Sequence, residues 1–148
     1  MQTKSLQLIV FIVGFFLFCL DQIIKFLSLR VFTNKFIVLK FFGWNPFQNH
    51  GVAFSLPLPN IATILFTIPI ILIIAWLLIK YFFRPTHLNF FIGLSFIFWG
   101  AMSNLIDRVI YKTTIDYFLI GTGVINLADV LIVAGFIFYL LPHKFFKS

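Results

Sequence analysis

The stretch from Ile61 to Lys80, IATILFTIPIILIIAWLLIK, carries no charge until its terminal lysine. A helix of about 20 apolar residues is long enough to cross the hydrocarbon core of a lipid bilayer. We therefore predict that this segment spans a membrane as a helix. Pro69 lies inside it and is tolerated there because neighbouring helices can satisfy the backbone group that a proline leaves free.

Three more segments of comparable length and apolarity lie outward from this one. They run from Leu6 to Leu27, from Leu88 to Ile110 and from Val124 to Leu141. The chain is 61% hydrophobic and 10% charged, whereas about a quarter of the residues in ordinary globular domains are charged. The sequence therefore predicts an all-α membrane protein with four transmembrane helices, in one domain over residues 1–148.

Residues 28–60 form the largest piece between the predicted spans. Within it, Lys35–Phe42 is rich in β-branched and aromatic residues, whereas Gly43–Gly51 is rich in turn formers. This pattern predicts a small β element on the membrane surface, between the first and second helices. Residues 111–123 are predicted as a loop that opens on the same face.

The net charge of +7 indicates contact with lipid rather than nucleic acid. The basic residues are scattered around the apolar segments instead of forming a stripe, which favours anionic headgroups as partners. Their distribution does not fix the orientation by the positive-inside rule, although the short link between the second and third spans favours cytoplasmic termini. The single cysteine, Cys19, excludes an intramolecular disulfide, and the three dispersed histidines suggest no metal or cofactor site.

The acidic residues are all aspartates in or beside apolar segments: Asp21, Asp107, Asp116 and Asp129. An ionised carboxylate near hydrocarbon costs roughly 3 kcal/mol on insertion scales, so such a group is kept where it has a partner or a task. Function is therefore expected among these four residues.

Two of the aspartates have a basic neighbour. Asp21 and Lys25 are four residues apart and share a helix face, which leaves a structural ion pair and a substrate contact equally open. On the third segment Asn104 and Asp107 belong to one polar stripe that must face inward. We predict that Asp107 and the adjacent Arg108 have a structural role and hold each other and a loop.

Asp116 and Asp129 have no basic partner at helical spacing within a predicted helix; the nearest base, Lys112, is four residues before Asp116 but past the end of the third span. Asp129 shares a face with Asn126, and Asp116 follows the end of the third span, so adjacent helix ends would bring the two carboxylates together. Two close carboxylates in a low dielectric share one proton and can split an amide with water. Spacing alone leaves the alternative of two unrelated carboxylates equally open.

Five blocks of the sequence, in this order, resemble the lipoprotein signal peptidases (signal peptidase II). The blocks are Asp21-Gln22-Ile23-Ile24-Lys25, Asn49-His50-Gly51-Val52-Ala53-Phe54-Ser55, Gly100 through Asn104-Leu105-Ile106-Asp107-Arg108, Ile115-Asp116-Tyr117-Phe118 and Asn126-Leu127-Ala128-Asp129. The resemblance implies an intramembrane aspartic endopeptidase without a metal or cofactor. Its substrate would be a diacylglyceryl-modified prolipoprotein, cleaved on the N-terminal side of the lipidated cysteine.

The resemblance also implies roles for individual residues. Asp116 and Asp129 match the catalytic pair of the family. The residues expected to bind substrate or to support the pair are Asp21, Lys25, Asn49, Gly51, Asn104, Asp107, Arg108, Asn126 and Ala128. Ser103 stands where the family usually has glycine, while Ile24 and Ile125 also depart from its pattern, which affects packing detail.

The fold implied by the resemblance is a four-helix membrane core with a small extracytoplasmic β-cradle within residues 28–60. It places the catalytic pair near the outer face of the bacterial cytoplasmic (inner) membrane, with cytoplasmic termini, and we expect a monomer. The alternative function is proton or ion translocation by intramembrane aspartates. A proton relay would place its carboxylates at successive depths of the membrane, whereas these four are predicted to lie near one face.

Overall fold

The computed structural model of the chain describes residues 2–39, 41–51, 58–83 and 88–141. Within these residues the chain alternates long helices with short strands. In chain order the elements are α1 Gln2–Arg30, β1 Phe36–Leu39, β2 Phe42–Asn49, α2 Asn60–Phe82, α3 Leu88–Ile110, β3 Thr114–Ile120, β4 Gly123–Ile125 and α4 Leu127–Leu140.

Among the described residues, three helices are long and apolar enough to cross a membrane: α1 from Lys4 onward, α2 and α3. They coincide with three of the predicted spans. The fourth helix, α4, has 14 residues and begins at Leu127 rather than at Val124 as predicted. It starts later because Gly123–Ile125 pairs with β3 as a strand.

Helix α3 is central, since it packs against each of the other three helices. Its contact with α4 is close because small residues face each other. A Cβ atom on Gly93 would lie 2.6 Å from the carbonyl oxygen of Gly135, and one on Gly100 would lie 2.5 Å from that of Ala128. This contact holds the first turn of α4, which carries Asp129, against the middle of α3.

The strands form one antiparallel sheet in the order β1-β2-β3-β4. The predicted β element between the first two helices is present as β1 and β2. The sheet also contains β3, where a loop was predicted, and β4, most of which lies in the predicted fourth span. Most of the range Gly43–Gly51, although rich in turn formers, belongs to a strand, because β2 continues to Asn49. The turn-forming Pro46 lies where the β2–β3 register shifts between Trp44 and Phe47, and a bulge accommodates its missing N–H.

Candidate active site

Asp116 lies in β3 and is 2% exposed. Each of its carboxylate oxygens accepts a hydrogen bond: Asn126 Nδ2 donates to Oδ1 at 2.7 Å, and Asn49 Nδ2 donates to Oδ2 at 3.1 Å. Asn49 reaches this position because β2 pairs with β3, with Phe47 opposite Asp116. The strand pairing therefore joins two residues that are far apart in sequence.

Asp129 lies in the first turn of α4, where Asn126 is the N-cap. The two residues form a capping box: Asp129 N–H donates to Asn126 Oδ1 at 2.8 Å, and Asn126 N–H donates to Asp129 Oδ2 at 3.3 Å. Asn104 Nδ2 donates to the other oxygen, Oδ1, at 2.9 Å. The partial positive charge at the helix N-terminus also favours a carboxylate here.

Asn126 links the two carboxylates, since its side-chain amide binds Asp116 while its backbone N–H binds Asp129. Burial, and after it the negative charge of Asp129, raises the pKa of Asp116 to about 7. The hydrogen bonds from Asn49 and Asn126 act in the opposite direction. A carboxyl group with this pKa can exchange a proton near neutral pH.

A buried ion cluster lies behind these carboxylates. Lys25 Nζ is 2.8 Å from Asp21 Oδ2 and 2.8 Å from Asp107 Oδ2. The Asp21–Lys25 pair suggested by their spacing is therefore present. The predicted contact between Asp107 and Arg108 was wrong, because Asp107 faces α1 and binds Lys25. The prediction that they hold a loop is confirmed for Arg108, whose Nη2 donates to the carbonyl oxygen of Gly51.

Asn104 connects the ion cluster to the rest of the site. Its Oδ1 accepts hydrogen bonds from Lys25 Nζ at 3.0 Å and from Asn126 Nδ2 at 3.2 Å. Its Nδ2 donates to Asp129, as described above. The inward-facing polar stripe predicted for α3 therefore contacts the Asp129 carboxylate through Asn104.

Asp21 joins three elements through its second oxygen. Asp21 Oδ1 accepts hydrogen bonds from the Tyr117 hydroxyl at 2.7 Å, from Leu127 N–H at 3.1 Å and from Ala128 N–H at 3.3 Å. The first N–H groups of a helix have no partner inside it, so a residue of α1 caps α4 here. Burial and the neighbouring Asp21 raise the pKa of Tyr117, which keeps its hydroxyl protonated as a donor.

A cleft of about 530 Å³ opens beside Asn49. Its lining residues are Phe47, Gln48, Asn49, His50, Gly51, Leu58 and Pro59. Gly51 N–H donates to Asn49 Oδ1 at 3.0 Å, while the Gly51 carbonyl oxygen is held by Arg108. Asn60 Nδ2 in turn donates to the backbone carbonyl oxygen of Arg108 at 3.0 Å. The rest of the predicted loop motif, residues 52–55, lies outside the described residues.

The structure thus brings the candidate residues from the sequence into one connected site. Sequence reasoning missed three side chains that also belong to it. Gln22 Nε2 donates to Asp107 Oδ1 at 3.1 Å, Tyr117 binds Asp21, and Ser103 lies among the buried polar groups. Gln22 and Ser103 could have been found as polar residues within apolar segments, and Tyr117 as the neighbour of Asp116.

Comparison with known families and proteins gives consistent matches. The family described as signal peptidase (SPase) II matches residues 13–145. The lipoprotein signal peptidase of Clostridium novyi (strain NT) is 35% identical over 126 residues, covering 78% of this chain and 84% of the relative. That of Helicobacter pylori (strain ATCC 700392 / 26695) is 33% identical over 157 residues, covering 100% of this chain and 95% of the relative.

Two solved structures share the fold. Both are described as bacterial membrane enzyme structures determined by the in meso method. The one at 2.3 Å resolution has a TM-score of 0.72 at 23% identity, over 90% of this chain and 84% of the other. The one at 1.9 Å resolution has a TM-score of 0.71 at 22% identity, over 97% of this chain and 94% of the other.

Proposed function

Because this chain belongs to the signal peptidase II family, we propose that it is an aspartic endopeptidase of the bacterial inner membrane. It removes the signal peptide from diacylglyceryl-modified prolipoproteins, on the N-terminal side of the lipidated cysteine. The observation that carries the proposal is the convergence of Asp116 and Asp129 on Asn126. The name of the relatives of this chain, lipoprotein signal peptidase, supports prolipoproteins as the substrate class.

The two carboxyl groups hold one proton and activate water directly. The ionised carboxylate removes a proton from water as the water oxygen bonds to the scissile carbonyl carbon, while the protonated carboxyl group donates its proton to the carbonyl oxygen. When the tetrahedral intermediate collapses, the first group gives its proton to the amide nitrogen and the carbon–nitrogen bond breaks. The second group recovers a proton from the diol, which restores the one-proton state.

The pKa of Asp116, raised to about 7, supports this division of roles. At an ordinary aspartate pKa of about 3.9 both carboxylates would be ionised at neutral pH, and neither could donate a proton. Asn49 and Asn126 each donate to Asp116, so they fix the orientation of its carboxyl group. Asn104 and the capping box do the same for Asp129.

The cleft beside Asn49 and Gly51 is the proposed entrance for the peptide. Gly51 is held from both sides, by Asn49 and by Arg108, which fixes the position of its backbone in the wall of the cleft. We propose four transmembrane spans with cytoplasmic termini, which puts the sheet at the extracytoplasmic surface. We also propose that the enzyme is a monomer. Two acyl chains would then anchor the scissile bond at the depth of the aspartates and supply position as well as affinity.

The test uses the full chain reconstituted in lipid vesicles, with a lipidated prolipoprotein as substrate. Mass spectrometry should find one cut, directly before the modified cysteine. The matched control is the same precursor without its diacylglyceryl group, which should be cut far more slowly. Equal cleavage of both precursors would refute selection by lipid depth, and proton flux across the vesicles without cleavage would favour translocation.

A further inference from the structure

Ser103 lies on α3 directly before Asn104 and is 0% exposed. Its hydroxyl oxygen contacts three polar side chains of α1. It lies 2.5 Å from Asp21 Oδ2, 3.0 Å from Lys25 Nζ and 2.7 Å from Gln22 Nε2. Ser103, one of the residues that depart from the family pattern, therefore binds the buried ion cluster.

The direction of the Ser103 hydroxyl proton follows from the chemistry of these partners. The ammonium group of Lys25 and the amide nitrogen of Gln22 have only protons to donate. The carboxylate of Asp21 has only lone pairs to offer, so the hydroxyl donates to Asp21 Oδ2 and accepts from the other two. Hydrogen bonds to a charged group are stronger than those between neutral groups.

The Asp21 carboxylate connects Ser103 to the first turn of α4. One of its oxygens is fixed by Ser103 and Lys25, and the other binds the N–H groups of Leu127 and Ala128. Those two residues directly precede Asp129 in the first turn of α4. A rotation of the Asp21 carboxylate would therefore displace the turn that carries Asp129.

We propose that Ser103 is a positioning residue for the reaction: its hydroxyl fixes the Asp21 carboxylate, which holds the first turn of α4 and hence Asp129 against Asp116. The inference rests on the proposed function, because it assumes that these two aspartates do the chemistry. Ser103 is absent from the lining of the cleft beside Asn49. Its removal should therefore affect turnover rather than substrate affinity.

The test compares Ser103→Ala with Ser95→Ala in the reconstituted enzyme. Ser95 is a matched control because it lies on the same helix and is also 0% exposed, yet its hydroxyl donates only within α3, to the Phe91 carbonyl oxygen at 2.7 Å. Ser103→Ala should lower kcat about tenfold, the scale of losing a hydrogen bond to a charged group, with KM unchanged. Ser95→Ala should leave both constants unchanged.

A kcat for Ser103→Ala equal to that for Ser95→Ala would overturn the positioning role. If Ser103→Ala does not accumulate as folded protein, Ser103→Cys replaces it, since a thiol is a weaker donor of similar size. A folded Ser103→Cys with normal kcat would also overturn the role. Failure of the wild type and of Ser95→Ala to cleave lipidated substrate would instead refute the proposed function, so the two failures are distinguishable.

Discussion

Replacing Asn126 by alanine perturbs both carboxylates at once. Asn126 is 0% exposed and caps α4 by accepting the N–H of Asp129, while its Nδ2 donates to Asp116 Oδ1 at 2.7 Å. Asn126→Ala therefore removes a helix cap, whose presence does not depend on pH, and a hydrogen bond that favours the ionised form of Asp116. The two losses can be separated by pH.

The expected magnitudes follow from these two bonds. Loss of an N-cap costs about 1 kcal/mol of the free energy of unfolding, and loss of a hydrogen bond to a charged group costs about 1.5–3 kcal/mol. The pKa of Asp116 is about 7 in the folded protein and 3.8 when unperturbed, so folding favours the protonated form. That contribution is complete below pH 3.8 and is lost as pH rises through about 7.

Removing the Asn126 amide raises the pKa of Asp116 further, because the hydrogen bond that stabilised the carboxylate is gone. Asn126→Ala should thus destabilise the protein by about 1 kcal/mol at pH 5 and by up to about 2.4 kcal/mol at pH 8, because a carboxyl group with a pKa of about 7 gains no more than about 1.4 kcal/mol by ionising at pH 8. In the pH profile of kcat/KM, the fall on the alkaline side should move to higher pH, because Asp116 stays protonated to higher pH.

Equilibrium unfolding in detergent micelles at both pH values measures the difference. Asn89→Ala is a matched control, since Asn89 is 1% exposed and donates to the Leu141 carbonyl oxygen at 2.7 Å, far from the aspartates. Its loss of stability should be the same at pH 5 and pH 8. Equal destabilisation by Asn126→Ala at the two pH values, with no shift of the alkaline fall in kcat/KM, would refute the reasoning.

Two further substitutions test the framework around the site. Lys25→Met should lower the free energy of unfolding by about 3–5 kcal/mol, because it leaves Asp21 and Asp107 buried without their cation; an unchanged unfolding midpoint would contradict the ion cluster. Gly93→Ala should cost about 1–3 kcal/mol, because its Cβ would lie 2.6 Å from a carbonyl oxygen of α4. Gly123→Ala, whose Cβ would have its nearest neighbour at 3.9 Å, is the control and should be nearly neutral when both are measured by thermal unfolding.

The apolar segments were predictable because a helix in lipid needs a continuous apolar run, and such a run is visible in one sequence. Strands β3 and β4 were missed although Thr114–Ile120 is rich in β-branched and aromatic residues and the Gly121-Thr122-Gly123 turn follows it. Their pairing depends on β2, which is distant in sequence. The same pairing extends β2 through residues 43–49, which are rich in turn formers.

In the candidate site too, contacts within one helix could be predicted from the sequence, whereas contacts between helices could not. The spacing of Asp21 and Lys25 on one helix suggested their ion pair correctly. The partner of Asp107 was predicted from its sequence neighbour Arg108, whereas packing of α1 against α3 supplies Lys25 instead. Adjacent helical residues point about 100° apart, so sequence adjacency is a poor guide to side-chain contact.

The central claim is that Asp116 and Asp129 perform the hydrolysis together. Cleavage of a lipidated prolipoprotein should be measured for Asp116→Asn and for Asp129→Asn, each checked for normal insertion and thermal stability. Asparagine is nearly isosteric but cannot exchange a proton, so both folded variants should lose about 10²- to 10⁴-fold in kcat. A folded variant of either kind that cleaves at the wild-type rate would contradict the account.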